Sequence, residues 1–302
     1  MGVAIALGGL GILKRDRIQM DVSLALRRTW TRLAMNWPMI LAVVLTVLVA
    51  GAALFLRLQS IAAALPYPGH IDEPHLSARA GQVLKTGSLE DRFFSYGHTP
   101  IYLVIGGLLI GYADAAMHLE VNNTAAIGSL GFPYFSQPRV IWPAKALFAS
   151  LSVVAMVLMG ATGWRVLRRR TLLWLVPLVI LFSATYFFYS HKYLNVDLAG
   201  AFFVATVYFA LFQYLDRDTI LHKAILPGAL CALTLTSKYT LLWIVVPPVL
   251  TILFYSTQNH IGKILVLMLT VAVGFVLLTP AIITNFSLFL DPVAGSMFHY
   301  AR

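Results

Sequence analysis

This chain reads as an all-α, polytopic membrane protein, a transmembrane helical bundle of about seven spans, and three observations carry that reading. Of its 302 residues 59% are hydrophobic and only 11% charged, with a mean hydropathy of +0.81. Several apolar runs reach the ~18–20 residues a helix needs to cross a hydrocarbon core of ~30 Å. The 22 lysines and arginines, which leave a net charge of +10, cluster beside those runs, where they act as orientation signals rather than as a nucleic-acid footprint. Membrane lipids are therefore expected partners and nucleic acid is not. The one cysteine, Cys231, lies inside an apolar run, so no intrachain disulfide forms.

Residues 1–36 predict a cytoplasmic N-terminal segment. The opening MGVAIALGGLGIL precedes Lys14, Arg15 and Arg17, the reverse of the order in a secretory signal, and Met20 offers an alternative start. The first span, residues 37–58, follows those three charges together with Arg27, Arg28 and Arg32, which hold the N-terminus inside. The polar interval of residues 70–103 then emerges on the outer side. It carries Asp72, Glu73, Glu90 and Asp91 of the twelve carboxylates, with Asp114 just beyond.

Residues 100–116 are short for a span and contain Gly106, Gly107, Gly111 and Asp114. If this segment crossed, the next span, residues 140–164, would deliver Arg165, Arg168, Arg169 and Arg170 to the outside. The positive-inside rule favours a segment that lies along the outer surface or dips in and returns. Spans then alternate over residues 172–189, 198–215, 224–235, 241–255 and 264–283. Inner loops hold Asp216, Arg217, Asp218, His222 and Lys223, then His260 and Lys263. Outer turns are HKYLNVD at 191–197 and TSKY at 236–239. Residues 37–302 thus form one membrane domain, with Asp72, Glu73, His98, Lys192, Asp197, Lys238 and Asp291 at one face.

Asp72 can cap a helix starting near Pro74, and it can also serve as a general base that accepts a proton from an attacking hydroxyl; the two roles are compatible. Lys238 sits in an outer turn between two spans, where an ionisable group is costly unless partnered; its alternative is snorkelling to the interface. Asp197 opens the span that returns inward, as an N-cap or as a second acid facing a substrate hydroxyl. His98 is a hydrogen-bonding site residue or an interfacial histidine. A divalent metal set can be drawn from His70, Asp72, Glu73, His75 and His98, but without recognised spacing. Tyr186, Phe187, Phe188, Tyr189 and Tyr193 form either an interfacial belt or a groove for a lipid chain.

The order of these features resembles the GT-C superfamily of integral membrane glycosyltransferases, of the protein O-mannosyltransferase and lipid A aminoarabinose transferase type. The residues that carry the resemblance are Asp72, Glu73, Ala80, Lys85, Thr86, Gly87, His98, Pro100, Tyr102 and Leu103, then Asn195 to Asp197 and Thr236 to Thr240. The resemblance implies a polyprenyl-phosphate-linked sugar donor and transfer, with inversion, to a protein, glycan or lipid acceptor at the extracytoplasmic face of a prokaryotic inner membrane. It assigns the base to Asp72, with Glu73 beside it. Lys238, Lys85 and Lys192 are the candidates for the donor phosphate, whose charge grows as the glycosidic bond breaks; His98, Asp197 and Tyr239 are the candidates for substrate binding.

Members of that family continue through further spans, whereas this sequence stops at Arg302, so a C-terminally incomplete or compact member is expected. The rivals are a transporter or lipid flippase, which would place charges near mid-span in paired halves, and a non-catalytic subunit.

Overall fold

The computed structural model describes residues 37–65, 73–88, 97–118, 138–183 and 194–290, and every regular element among them is helical. Asp72, Lys192, the aromatic group at 186–193 and Asp291 lie outside the described residues. The helices are α1 (Trp37–Ala64), α2 (Glu73–Thr86), α3 (His98–Met117), α4 (Pro138–Leu167), α5 (Leu172–Leu181), α6 (Val196–Gln213), α7 (Leu221–Leu235), α8 (Tyr239–Tyr255), α9 (His260–Leu278) and the short α10 (Ala281–Thr284). Among the described residues α1, α3, α4, α6 and α9 are long and apolar enough to cross a membrane; α5, α7 and α8 are shorter apolar helices. The chain is an all-α polytopic membrane bundle.

Contacts divide the chain into residues 1–45 and 46–302. The described part of the first unit is the opening of α1, where Trp37, Leu41 and Val44 are exposed and Ala42 is buried. The second unit packs its helices around several cores, the three largest of which join most of them. Leu76 of α2, Ile101 and Leu108 of α3, Phe148 of α4 and Leu198 of α6 share one. Val207, Cys231, Ile244 and Val271 join α6, α7, α8 and α9 in another, and Ala53, Met156 and Leu181 join α1, α4 and α5 in a third. Outside these cores large apolar side chains stay exposed, as Leu265, Leu269 and Leu277 do on α9. A continuous apolar exterior is unfavourable in water and is what a lipid-facing helix requires.

Polar contacts define two ends in this unit. At one, Arg165 donates to the Phe212 carbonyl at 3.4 Å and pairs with Asp216 at 3.6 Å, while Asp218 binds Lys263 at 2.6 Å. The ends of α4 and α6 and the starts of α7 and α9 therefore lie together. At the other, Asp197 pairs with Lys238 and the Thr99 amide donates to the Thr236 carbonyl, so the starts of α3, α6 and α8 meet the end of α7. The inner-loop and outer-turn groups expected from charge counting separate in this way.

Residues 100–116 proved too short an estimate: α3 runs over His98–Met117, and its length alone allows it to cross. Its register is more informative. Gly107 presses on Ala144 and Gly111 on the Val140 carbonyl, where an added Cβ would sit 2.3 Å and 2.2 Å from backbone atoms, so α3 runs antiparallel along the first half of α4. Glycine is required because nothing larger allows this approach. α3 therefore leans out from the Thr236 end and does not descend to the Arg165 end. α4 is about 45 Å long at 1.5 Å per residue, longer than the ~30 Å core, so its first turns project beyond it.

Three other boundaries shift. α1 continues past residue 58 to Ala64, and α9 stops at Leu278 instead of reaching 283, because Pro280 cannot supply the next amide. α7 opens with a π-helical turn, Leu221–Ile225, and α8 with a 3-10 turn, Tyr239–Val245, each just before prolines that lack a donor.

Candidate functional site

The site is assembled at the Thr236 end. Gly97 lies against the α7–α8 turn so tightly that a Cβ would fall 1.8 Å from the Thr236 oxygen. The Thr99 amide donates to that oxygen at 3.0 Å, and the Thr99 and Thr236 hydroxyls share a hydrogen bond at 2.6 Å. This latch joins the start of α3 to the turn that carries Lys238. Thr236 and Ser237 cap the end of α7 from their own side chains, donating to the Ala232 and Leu233 carbonyls at 2.8 Å each.

Lys238 follows in extended backbone and binds Asp197 across the gap to α6. Their side chains are 31% and 57% exposed, so the pair is open to solvent and exchangeable. Asp197 is not the helix cap. Asn195 fills that position, its side-chain oxygen accepting from the Asp197 amide at 2.7 Å, and Asp197 lies in the first turn, where its negative charge meets the positive helix end. The carboxylate itself is thereby left to Lys238.

Glu73 opens α2 and is buried. It binds Lys145 of α4 at 2.5 Å, with both side chains at most 5% exposed. An ion pair removed from water this completely is worth little in net stability, yet losing either partner takes a compensating charge away from the other. Glu73 fixes the start of α2 to α4, and Asp72 is the residue before it in sequence. His98 is buried at the start of α3, its ring 6.2 Å from that of Tyr102.

The remaining candidates fall elsewhere. Lys85 is exposed in the last turn of α2, about 18 Å along the helix from Glu73. Tyr239 is buried against Phe275 and Phe289, with ring centroids 6.0 and 5.6 Å away, and belongs to an aromatic core. Among the described residues no three His, Cys, Asp or Glu side chains gather as a metal set, and His70 and Asp72 of the sequence-derived set lie outside those residues.

Two buried cations escaped the reading of the sequence. Lys145 stands inside the apolar run of α4, and Arg57, fully buried in α1, donates to the Ala53 carbonyl at 3.0 Å and approaches the Met156 sulfur at 3.5 Å. The signal was available: a lysine or arginine inside a hydrophobic span is costly unless it has partners.

The fold and its apolar exterior define an integral membrane protein of the polytopic helical class. No family model, no curated protein and no solved structure matches the chain.

Proposed function

We propose that this protein is a glycosyltransferase that moves a sugar from a polyprenyl-phosphate donor to an acceptor at the extracytoplasmic face of a cell membrane. The observation that carries the reading is that His98 and Asp197–Lys238, from separate stretches, gather at the end opposite Arg165 and Asp218, with Glu73–Lys145 bordering the same core. The positive-inside rule puts Arg165, Arg168, Arg169 and Arg170 in the cytoplasm and this end outside.

In this reading an acceptor hydroxyl attacks the anomeric carbon from the face opposite the phosphate. The carbon–oxygen bond to phosphate breaks, the phosphate keeps the electron pair, and Asp72 takes the hydroxyl proton. Lys238 exchanges Asp197 for the donor phosphate when the donor binds, so that its positive charge is already in place as the leaving group develops. Asp197, released, accepts a hydrogen bond from a sugar hydroxyl. Glu73 and Lys145 hold the start of α2.

The test is sugar transfer in purified membranes from a panel of polyprenyl-phosphate sugars. Asp72→Asn should abolish transfer with donor binding retained, and Lys238→Ala should weaken donor binding and transfer together. Equal transfer by Asp72→Asn and the native chain would remove Asp72 from the base role.

One observation favours a second reading as a transporter or flippase. Arg57 is buried beside Met156, partway along α4, where a charge can line a path. Sugar-lipid movement across sealed vesicles, without any covalent transfer, would select that reading.

A further inference from the structure

The turn that joins α4 to α5 carries Arg168, Arg169 and Arg170 in succession, and all three side chains are exposed. Among the described residues their guanidinium groups make no ion pair and no hydrogen bond. The two acids of the α6–α7 loop at this end of the bundle are engaged elsewhere, Asp216 with Arg165 at 3.6 Å and Asp218 with Lys263 at 2.6 Å.

The turn is held in shape from both sides. Gly160 of α4 lies so close to α5 that a Cβ would fall 2.7 Å from the Leu173 carbonyl oxygen and 2.9 Å from Pro177 Cδ. The Arg169 and Arg170 carbonyls accept from the Leu172 and Leu173 amides at 3.1 Å each. Arg168 has φ of 55°, the left-handed backbone that ends many helices and that glycine usually occupies. A bulky side chain is disfavoured there, so an arginine stands where glycine would cost less.

The flanking helices set the depth. Both are apolar, and α5 folds back along α4, where Leu181 packs on Val153 and Met156. The arginines therefore lie where the chain leaves the hydrocarbon core, in the headgroup layer that holds lipid phosphates. Leu175, Val179 and Phe182 are exposed and recur at spacings of four and three along one face of α5. From Thr171 they lie about 6 Å to 16 Å further along the helix, inside the core.

We propose that this turn binds an anionic phospholipid with two phosphates in its head, of the diphosphatidylglycerol type, its acyl chains running along Leu175, Val179 and Phe182. One phosphodiester offers two free oxygens and a single negative charge, which one arginine satisfies with a pair of hydrogen bonds. A second phosphate on the same head engages a second arginine as an intramolecular event. A zwitterionic head instead brings an ammonium up to the remaining guanidinium.

The test is native mass spectrometry of the purified full chain titrated with tetraoleoyl diphosphatidylglycerol, dioleoyl phosphatidylglycerol or dioleoyl phosphatidylethanolamine. The expected result is one saturable site for the two-phosphate lipid, about tenfold tighter than for phosphatidylglycerol and tighter still than for the ethanolamine lipid. Changing Arg168, Arg169 and Arg170 together to glutamine should remove that preference. Changing Arg27, Arg28 and Arg32 to glutamine, which takes as many charges from the N-terminal segment, should leave it intact. Arg168→Gly, which suits the left-handed backbone, should be at least as heat-stable as the native chain in lipid-free detergent, yet bind the two-phosphate lipid several-fold more weakly. Each variant is checked for the native helical content and elution volume. Equal affinity of the native chain for the two anionic lipids, a preference that survives in the turn variant, an equal loss in both triple variants, or undiminished binding by Arg168→Gly would each overturn the proposal.

Discussion

Lys145 and Glu73 show how much one buried pair constrains. Replacing Lys145 by alanine leaves a carboxylate enclosed in a protein core with its ammonium gone, and a loss of about 3–5 kcal/mol is expected, read from detergent-solubilised unfolding. The double variant Lys145→Met, Glu73→Gln, which removes both charges at similar volume, should recover most of that loss. If the single and double variants are equally destabilised, the pair is not the cause. Asp197–Lys238 should behave differently because it is open to water: Asp197→Asn should leave stability within about 1 kcal/mol of the native value. At this scale the sequence exposed Lys238, Asp197 and Glu73 because ionic groups are conspicuous in an apolar chain. It did not pair them, since their partners lie far away along the chain. Lys145 is inconspicuous because it stands inside residues 140–164, an apolar run long enough to read as a span.

The helices were legible where composition is one-sided and illegible where contact decides. The starts of α6 and α7 came within a few residues of expectation, but the capping residue of α6 did not, because Asn195 and Asp197 are both good caps and only geometry chooses between them. Asn195→Ala should cost about 0.5–2 kcal/mol, the loss expected for a removed cap, and a thermal shift would measure it. α3 was underestimated because glycines lower helix propensity when a helix stands alone; here Gly107 and Gly111 allow α4 to come close and return that loss as packing.

The loop between α6 and α7 makes a pH-dependent contact with the start of α9. The Lys263 ammonium, then the Ser256 and Thr257 hydroxyls, hold the Asp218 carboxyl well below the usual carboxylate range. The folded pKa lies below the unfolded one, so this contribution is complete above about pH 4 and is lost as pH falls further toward the folded value. Asp218→Asn should be less stable than the native chain at neutral pH, and the gap should close as the medium is acidified below that point. A gap that is constant with pH would show that the carboxylate charge is not what stabilises the contact.

For the whole molecule the two ends make opposite predictions about access. Cys231 is the one cysteine and is buried, so Cys231→Ser provides a background on which single introduced cysteines report sidedness. A cysteine at Asp197 should react with a membrane-impermeant maleimide in intact cells, and one at Thr257 only after the membrane is opened. The reverse pattern would invert the bundle and move the candidate site to the cytoplasm.

By itself the sequence determined the class of this protein, an all-helical membrane bundle, and the sorting of its charges into two sets, because hydropathy and charge act locally along the chain and need no partner to be read. Tertiary structure decided which of those charges touch: Lys145 with Glu73, Lys238 with Asp197, and Arg139 with Asp114 at a second, separate end of α3. Those pairings depend on helix register, which glycine contacts and close packing set across distances that no local pattern spans.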